Sequence, residues 1–255
     1  MGIVDGKVVV VTGSGGGIGE AIVQHLYDEG AIVVATAHSD ASVAKLTDQV
    51  GDSTERFLGR TLDVTDESQV AELIADTVQR FDRLDGIVNN AGVLYPNTVE
   101  QATGEEYEKT FDVNVKGTFF GCKYAIPAML NGGGGSIVNF GSINSLGAEK
   151  QLALYTASKG AVLMLTKAIA LDHGADGIRA NCVCPGFVDT PLNVPHYSRF
   201  GTKADLEAGL ADFQPIGRAI LPLEIAQSVS FLLSDRSSAI TGTPFIVDGG
   251  VLSKA

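Results

Sequence analysis

Residues 8–19 read Val8-Val9-Val10-Val11-Thr12-Gly13-Ser14-Gly15-Gly16-Gly17-Ile18-Gly19, and the fold is decided here. Four β-branched residues without alternation suit a short strand buried on both faces of a parallel sheet. Beyond the glycines, Ile18, Ala21, Ile22, His25 and Leu26 recur at helical spacing until Gly30 ends the pattern. The order is therefore strand, glycine-rich turn, helix. Such a turn lets backbone N–H groups approach a pyrophosphate, and the positive end of the helix favours the anion. No Lys-Ser or Lys-Thr follows the glycines, which excludes a P-loop.

The alternation runs on down the chain. Residues 31–35, 57–62, 86–88, 137–140 and 179–184 read as strands, each followed by a helical or polar segment, and a helix over 222–233 precedes a last strand over 244–247. Repeated β-then-α units predict an α/β fold. We expect a single Rossmann-type doubly wound domain spanning 1–255, a parallel sheet of about seven strands with helices on both faces. Ligands of such sheets lie outside the carboxyl ends of the strands, where residues 13–19, 63–64, 89–92, 141–142 and 185–186 would gather. Between 187 and 215 the rhythm lapses into a stretch containing Pro191, Pro195 and Gly201 beside Phe187, Leu192, Tyr197, Phe200 and Phe213. A loop this long inside a compact domain is expected to act as a lid over the substrate.

Composition narrows the function classes. The chain has 255 residues, 45% hydrophobic and 19% charged, as a soluble domain with one substantial core does. Its 30 acidic against 18 basic side chains give a net charge of −12, which argues against nucleic acid and anionic membranes as partners. The first residues lack the apolar core of a signal peptide and no apolar run reaches membrane-spanning length, so a cytoplasmic location is expected. Cys122, Cys182 and Cys184 are odd in number and lack a C-x-x-C spacing, as befits free thiols in a reducing compartment; in a strand, Cys182 and Cys184 would share a face as small buried hydrophobes. The four histidines, at 25, 38, 173 and 196, show no ligand spacing, and no metal is expected.

The segment Tyr155-Thr156-Ala157-Ser158-Lys159 places a phenol and an ammonium one helical turn apart, on one face. A fixed cation beside a phenol favours the phenolate; bringing Tyr from about 10 toward neutrality takes roughly 3–4 kcal/mol. Taken together, Thr12-Gly13-x-x-x-Gly17-x-Gly19, Asn89-Asn90-Ala91-Gly92, Asn114, Ser142, Tyr155-x-x-x-Lys159 and Pro185-Gly186-x-x-x-Thr190 closely resemble the short-chain dehydrogenase/reductase family, nearly end to end.

The resemblance implies a nicotinamide-dependent oxidoreductase acting on a secondary alcohol or its ketone. Tyr155 would be the general acid/base, Lys159 would grip the nicotinamide ribose and stabilise the phenolate, Ser142 would bond the substrate oxygen, and Asn114 would hold a relay water. Gly13, Ser14, Gly17, Ile18 and Gly19 would meet the pyrophosphate. Asp63 and Val64 would flank adenine, with strand-end capping as the other reading of Asp63. Asn90, Ala91 and Gly92 would lie beside the adenosine ribose, and Pro185, Gly186, Val188 and Thr190 against the nicotinamide. Asn89 would hold strand ends together.

Two departures stand out. Gly141 occupies a position where many relatives have a second Ser, which would enlarge or loosen the pocket. At the end of the second strand, Ala37 and His38 replace the acid of NAD-selective members and the fixed cation of NADP-selective ones. With no carboxylate to repel a 2′-phosphate, the cofactor reading leans to NADP(H) within NAD(P)(H); Asp40 would reverse it if the turn were one or two residues longer. Leu94, Tyr95, Ile143, Asn144, Leu146, Leu152 and Leu192 would line a pocket for a substrate with an apolar or cyclic body and few charges. The alternative from another class is a catalytically idle dinucleotide-binding sensor or scaffold. The resemblance also implies a homotetramer, or next a dimer, paired through helices around 103–129 and 155–172.

Overall fold

The first strand, β1 (Val8–Val11), is buried along its whole length, as an unalternating Val run requires when both sheet faces are covered. The computed structural model describes residues 2–51, 55–198 and 201–253. In chain order the elements are α1 (Gly17–Asp28), β2 (Ile32–Ala37), α2 (Asp40–Val50), β3 (Phe57–Thr61), α3 (Glu67–Phe81), β4 (Gly86–Asn89), α4 (Gly104–Phe111) and α5 (Gly117–Asn131). There follow β5 (Gly135–Phe140), α6 (Ala153–His173), β6 (Ile178–Pro185), α7 (Val194–Tyr197), α8 (Lys203–Phe213), α9 (Pro222–Leu233) and β7 (Pro244–Val247). The sheet has seven parallel strands among the described residues, in the order β3-β2-β1-β4-β5-β6-β7. The order reverses between β1 and β4, and that switch point is where a doubly wound sheet opens a crevice at its carboxyl end.

Two cores sandwich the sheet. Val9, Val11, Val33 and Val138 pack on one side with Ile22, Leu26, Ile225 and Leu232, from α1 and α9. Val10, Val34, Ile87 and Ile137 pack on the other with Leu73, Ile74, Met129 and Ile169, from α3, α5 and α6. Alternate residues of the Val run thus serve opposite cores. No helix among the described residues is long and apolar enough to cross a membrane.

Strands β2, β4, β5 and β6 are one or two residues longer than the sequence predicts, β3 is one residue shorter, and all the predicted strands are present. The larger difference lies in the predicted lid. Residues 203–213 form α8, whose start is capped reciprocally: Thr202 Oγ1 accepts from Asp205 N at 3.2 Å and Asp205 Oδ2 accepts from Thr202 N at 2.8 Å. Gly209 interrupts its apolar spacing, which hides the helix, although Thr202-x-x-Asp205 is a usable start signal. Gln214, fully buried, ties the base of this excursion together, accepting from Phe187 N at 2.9 Å and donating to Arg218 O at 2.6 Å. Phe200 and the Tyr197 side chain lie outside the described residues.

Candidate active site

The glycine turn after β1 is fitted to its surroundings atom by atom. Gly13 has φ +66°, and a Cβ there would stand 2.6 Å from Ala91 Cα; a Cβ on Gly19 would stand 2.4 Å from Gly13 O and 2.7 Å from Asn90 Nδ2. Asn90 stitches the end of β4 to this turn, donating through Nδ2 to Gly13 O at 2.9 Å and to Thr12 O at 3.2 Å. At the N-terminus of α1 the cap residue is Gly16, which makes no side-chain capping bond, and a Cβ on it would meet nothing within 4 Å. The first-turn N–H groups thus have no side-chain cap, and the turn borders an open cleft.

Gly13, Gly17, Ile18, Gly19, Ala37, His38, Asp63, Val64, Asn90, Ala91 and Gly92 all border this cleft. Ser14 does not. It is fully buried, its N–H donates to Thr36 O at 2.7 Å and its hydroxyl to Val11 O at 3.0 Å, because the turn needs an inward cap for the end of β1. Asp63 lies on the cleft and also caps its own turn, Oδ1 accepting from Thr65 N at 2.9 Å and Thr65 Oγ1 at 2.8 Å. These bonds, the first of them foremost, hold its carboxyl below the usual range against a burial cost, with further help from His38 and Lys109. Asp40 is turned away, its Oδ1 accepting from Thr61 Oγ1 on β3. Asn89 Nδ2 donates to Asn139 Oδ1 at 2.8 Å and bridges β4 and β5.

A second, smaller cavity adjoins the cleft, sharing Ile18, Asn90, Gly92, Thr190 and Leu192 with it. Ser142, Tyr155 and Lys159 meet on its wall, with Pro185, Gly186 and Val188 facing them. Lys159 is 4% exposed; its Nζ lies 5.5 Å from the Tyr155 ring centroid and donates to Phe140 O at 2.8 Å, leaving two donors. Burial brings Lys159 down to about 8. Burial pushes Tyr155 up to about 12, the Ser142 hydroxyl opposes the shift, and Glu149 adds to it. Burial dominates both groups, raising the phenol and lowering the ammonium, so the cation that the spacing sets beside Tyr155 is weakened by the same desolvation.

Ser142 Oγ accepts from Asn144 N at 3.2 Å, which leaves its own hydrogen to donate. Asn114 sits in a single π-helical turn (Asp112–Lys116) between α4 and α5. Its Oδ1 accepts from Val93 N at 2.8 Å, and its Nδ2 donates to Val93 O and to Ser158 Oγ, each at 3.0 Å. Its amide thus clamps the loop after β4 onto α6. Gly92 faces both groups, since a Cβ there would lie 3.4 Å from Asn114 Oδ1 and 3.5 Å from Lys159 Nζ.

Gly141 does not loosen the pocket. A Cβ on it would stand 2.6 Å from Cys182 Sγ, 2.7 Å from Ser145 Oγ and 3.1 Å from Cys184 Sγ, so β6 thiols fill the space a serine would take. Leu94, Ile143, Asn144, Leu152 and Leu192 line the cavity as expected from the sequence, whereas Tyr95 and Leu146 do not. Tyr95 follows Leu94 in a stretch without helix, where neighbours face opposite ways, and Leu146 is 44% exposed beyond the short turn Ile143–Ser145. Glu149, Asn193, Phe187 and Phe213 line the cavity too. Glu149 was not foreseen, since a Glu in the polar segment Gly147-Ala148-Glu149-Lys150 carries no sequence signal of enclosure.

A family model described as enoyl-(acyl carrier protein) reductase matches residues 13–252. The chain belongs to the short-chain dehydrogenase/reductase family. Among relatives of this dehydrogenase/reductase, meso-2,3-butanediol dehydrogenase of Serratia marcescens is 36% identical over 246 residues, covering 96% of this chain and 94% of that protein. Cyclohexanol dehydrogenase of an Acinetobacter species is 34% identical over 249 residues, 97% of this chain and 96% of the other. Cyclopentanol dehydrogenase of Comamonas testosteroni is 37% identical over 259 aligned positions, 98% of each.

Proposed function

We propose that this short-chain dehydrogenase/reductase is an enzyme that interconverts a secondary alcohol and its ketone, using NAD(P)(H), on substrates with an apolar or cyclic body. The observation that carries the reading is the meeting of Ser142, Tyr155 and Lys159 on one wall of a cavity continuous with the glycine-bordered cleft. The remaining walls supply Leu94, Leu152, Val188 and Phe213 to an apolar body. A dinucleotide fits the cleft: the uncapped start of α1 suits a pyrophosphate, and the two unused Lys159 donors suit ribose hydroxyls. When bound, the nicotinamide supplies or accepts the hydride.

The protein's own part is proton transfer and orientation. In ketone reduction, Ser142 Oγ–H donates to the carbonyl oxygen and Tyr155, neutral at physiological pH, gives its proton to that oxygen. In alcohol oxidation Tyr155 takes the proton back. Lys159 fixes the ribose, and Asn114, with one lone pair of Oδ1 left, is assigned the relay water. Residues 187–215 are assigned as the substrate lid, with Gln214 at its base. The idle sensor or scaffold has no observation in its favour, since the reacting groups are complete.

The cofactor reading leans to NADP(H). It is supported by the absence of a carboxylate at Ala37, by Asp40 facing Thr61, and by His38 and Lys109 on the cleft wall. A homotetramer is assigned, with a dimer next; Phe119 on α5 and Met164 on α6 are exposed apolar side chains on the helices expected to pair. A cytoplasmic location accords with the free thiols Cys122, Cys182 and Cys184. Acyl thioesters on an acidic carrier are disfavoured by the charge of −12.

The test is a fluorescence titration with NADH and NADPH, followed by turnover of cyclic ketones with the preferred cofactor and with Tyr155→Phe. Loss of about 10²–10⁴-fold in kcat/KM with cofactor binding retained is expected. Equal turnover by the Phe variant, or an acyl-carrier thioester outperforming every neutral cyclic ketone, would overturn the reading.

A further inference from the structure

Ser142 opens the short turn Ile143–Ser145, and the turn is closed by side chains at both ends. Ser142 Oγ accepts from Asn144 N at 3.2 Å, and Ser145 Oγ accepts from Ser142 N at 3.2 Å, so the two serines cap the turn reciprocally. One bond leads out of it. Ser145 Oγ donates to the backbone carbonyl of Lys159 at 2.8 Å, on α6 and one helical turn beyond Tyr155. A carbonyl can only accept, so the single hydrogen of the hydroxyl is committed to Lys159 O and a lone pair takes the Ser142 N–H. One hydroxyl thereby joins the backbone of Ser142 to the helix that carries Tyr155 and Lys159.

The neighbouring ties between this loop and α6 use reacting groups. Lys159 Nζ donates to Phe140 O at 2.8 Å, but that ammonium is assigned to the cofactor ribose, and Ser142 bears on Tyr155 through the hydroxyls that would hold the substrate oxygen. Ser145 is free of that conflict, since it is not on the cavity wall. It is half-buried against Gly141, where a Cβ would stand 2.7 Å from Ser145 Oγ and 3.1 Å from Cys184 Sγ, so the hydroxyl is closely packed on that side. We propose that Ser145 is a positioning residue, which sets the Ser142 hydroxyl against Tyr155 by bridging Ser142 N and Lys159 O. The inference rests on the alcohol/ketone reading of the same site. Without the hydroxyl, the turn keeps its internal bond from Ser145 N to Ser142 O at 2.9 Å but loses its hold on the α6 backbone. The turn then shifts as a unit, and the donor to the reacting oxygen moves with it.

The experiment measures kcat and KM on a panel of cyclic alcohols and ketones, with cofactor affinity by fluorescence titration and folding by denaturant midpoint. The proteins are the wild type, Ser145→Ala, Ser145→Thr, Ser142→Ala and the double variant Ser142→Ala/Ser145→Ala. Ser145→Ala should lose about tenfold in kcat with cofactor affinity unchanged, because small displacements of a positioned group cost rate rather than binding. Ser145→Thr, which keeps the hydroxyl, should recover most of that loss. The double variant should be no slower than Ser142→Ala alone, since Ser145 acts through Ser142. A merely structural serine would lower the midpoint and add its loss to that of Ser142→Ala. An unchanged kcat in Ser145→Ala, an additive double variant, or a folded Ser145→Thr as slow as Ser145→Ala each overturns the positioning role while leaving the alcohol/ketone reading standing. No turnover of any alcohol or ketone by the wild type overturns that reading, and the positioning role with it.

Discussion

Gly141 on the loop after β5 faces Cys182 on β6 so closely that a Cβ on the glycine would stand 2.6 Å from the sulfur. The two residues are complementary, a missing side chain against a thiol, and the contact sits next to Ser142. Gly141→Ser should destabilise the protein by about 1–3 kcal/mol, since neither the strand nor the adjoining Ser145 can withdraw freely. Adding Cys182→Ala should return part of that loss. Denaturant unfolding of the single and double variants measures both, and an unperturbed midpoint in Gly141→Ser would contradict the packing.

Burial of Lys159 makes stability depend on pH in a defined direction. Its folded value of about 8 lies below the ordinary 10.5, so between these the unfolded chain holds a proton that the folded one has released. Stability from this group therefore rises with pH across that window, and below 8 the full cost of burying the ammonium is present. From pH 7 to 9.5 the gain is about 2 kcal/mol. The wild type should show that rise relative to Lys159→Met in denaturant unfolding at the two pH values; parallel behaviour of the two proteins would exclude it.

Tyr155 is raised to about 12 by burial, so the phenol stays protonated throughout the neutral range. Ketone reduction should show no loss attributable to this group between pH 6 and 9, whereas alcohol oxidation, which needs the phenolate, should climb with pH. Steady-state profiles in both directions test the asymmetry. A reduction rate that collapses near neutrality, with cofactor saturating, would mean that another acid or a lower phenol value controls the step.

Ala37 ends β2 at the cleft wall with no charge. Ala37→Asp should turn the proposed NADP(H) preference toward NADH by about 10–100-fold in the ratio of kcat/KM, because a carboxylate there repels a 2′-phosphate. If the wild type already prefers NADH, the lean is wrong and the substitution should change the ratio little.

Gln214 clamps Phe187 to Arg218 at the base of the segment proposed as the lid. Gln214→Ala leaves the Phe187 N–H without this partner and should cost about 1–3 kcal/mol. Substrate KM should rise, and limited proteolysis between 187 and 215 should quicken. An unchanged cleavage rate would separate Gln214 from any hold on the segment.

The sequence by itself determined the parts governed by local rules. Val8–Val11, the glycines at 13, 17 and 19, and the Tyr155-to-Lys159 spacing each express a backbone or periodic constraint, and the sheet, the turn and the shared helical face follow from them. Tertiary structure decided what depends on neighbours distant in the chain. The inward cap of Ser14, the thiols filling the space beside Gly141, the exclusion of Tyr95 and Leu146, and the enclosure of Glu149 depend on which surfaces fold together. The same holds for the reacting pair: spacing places Lys159 near Tyr155, but desolvation is a property of the whole cavity wall, and it raises the phenol and lowers the ammonium together.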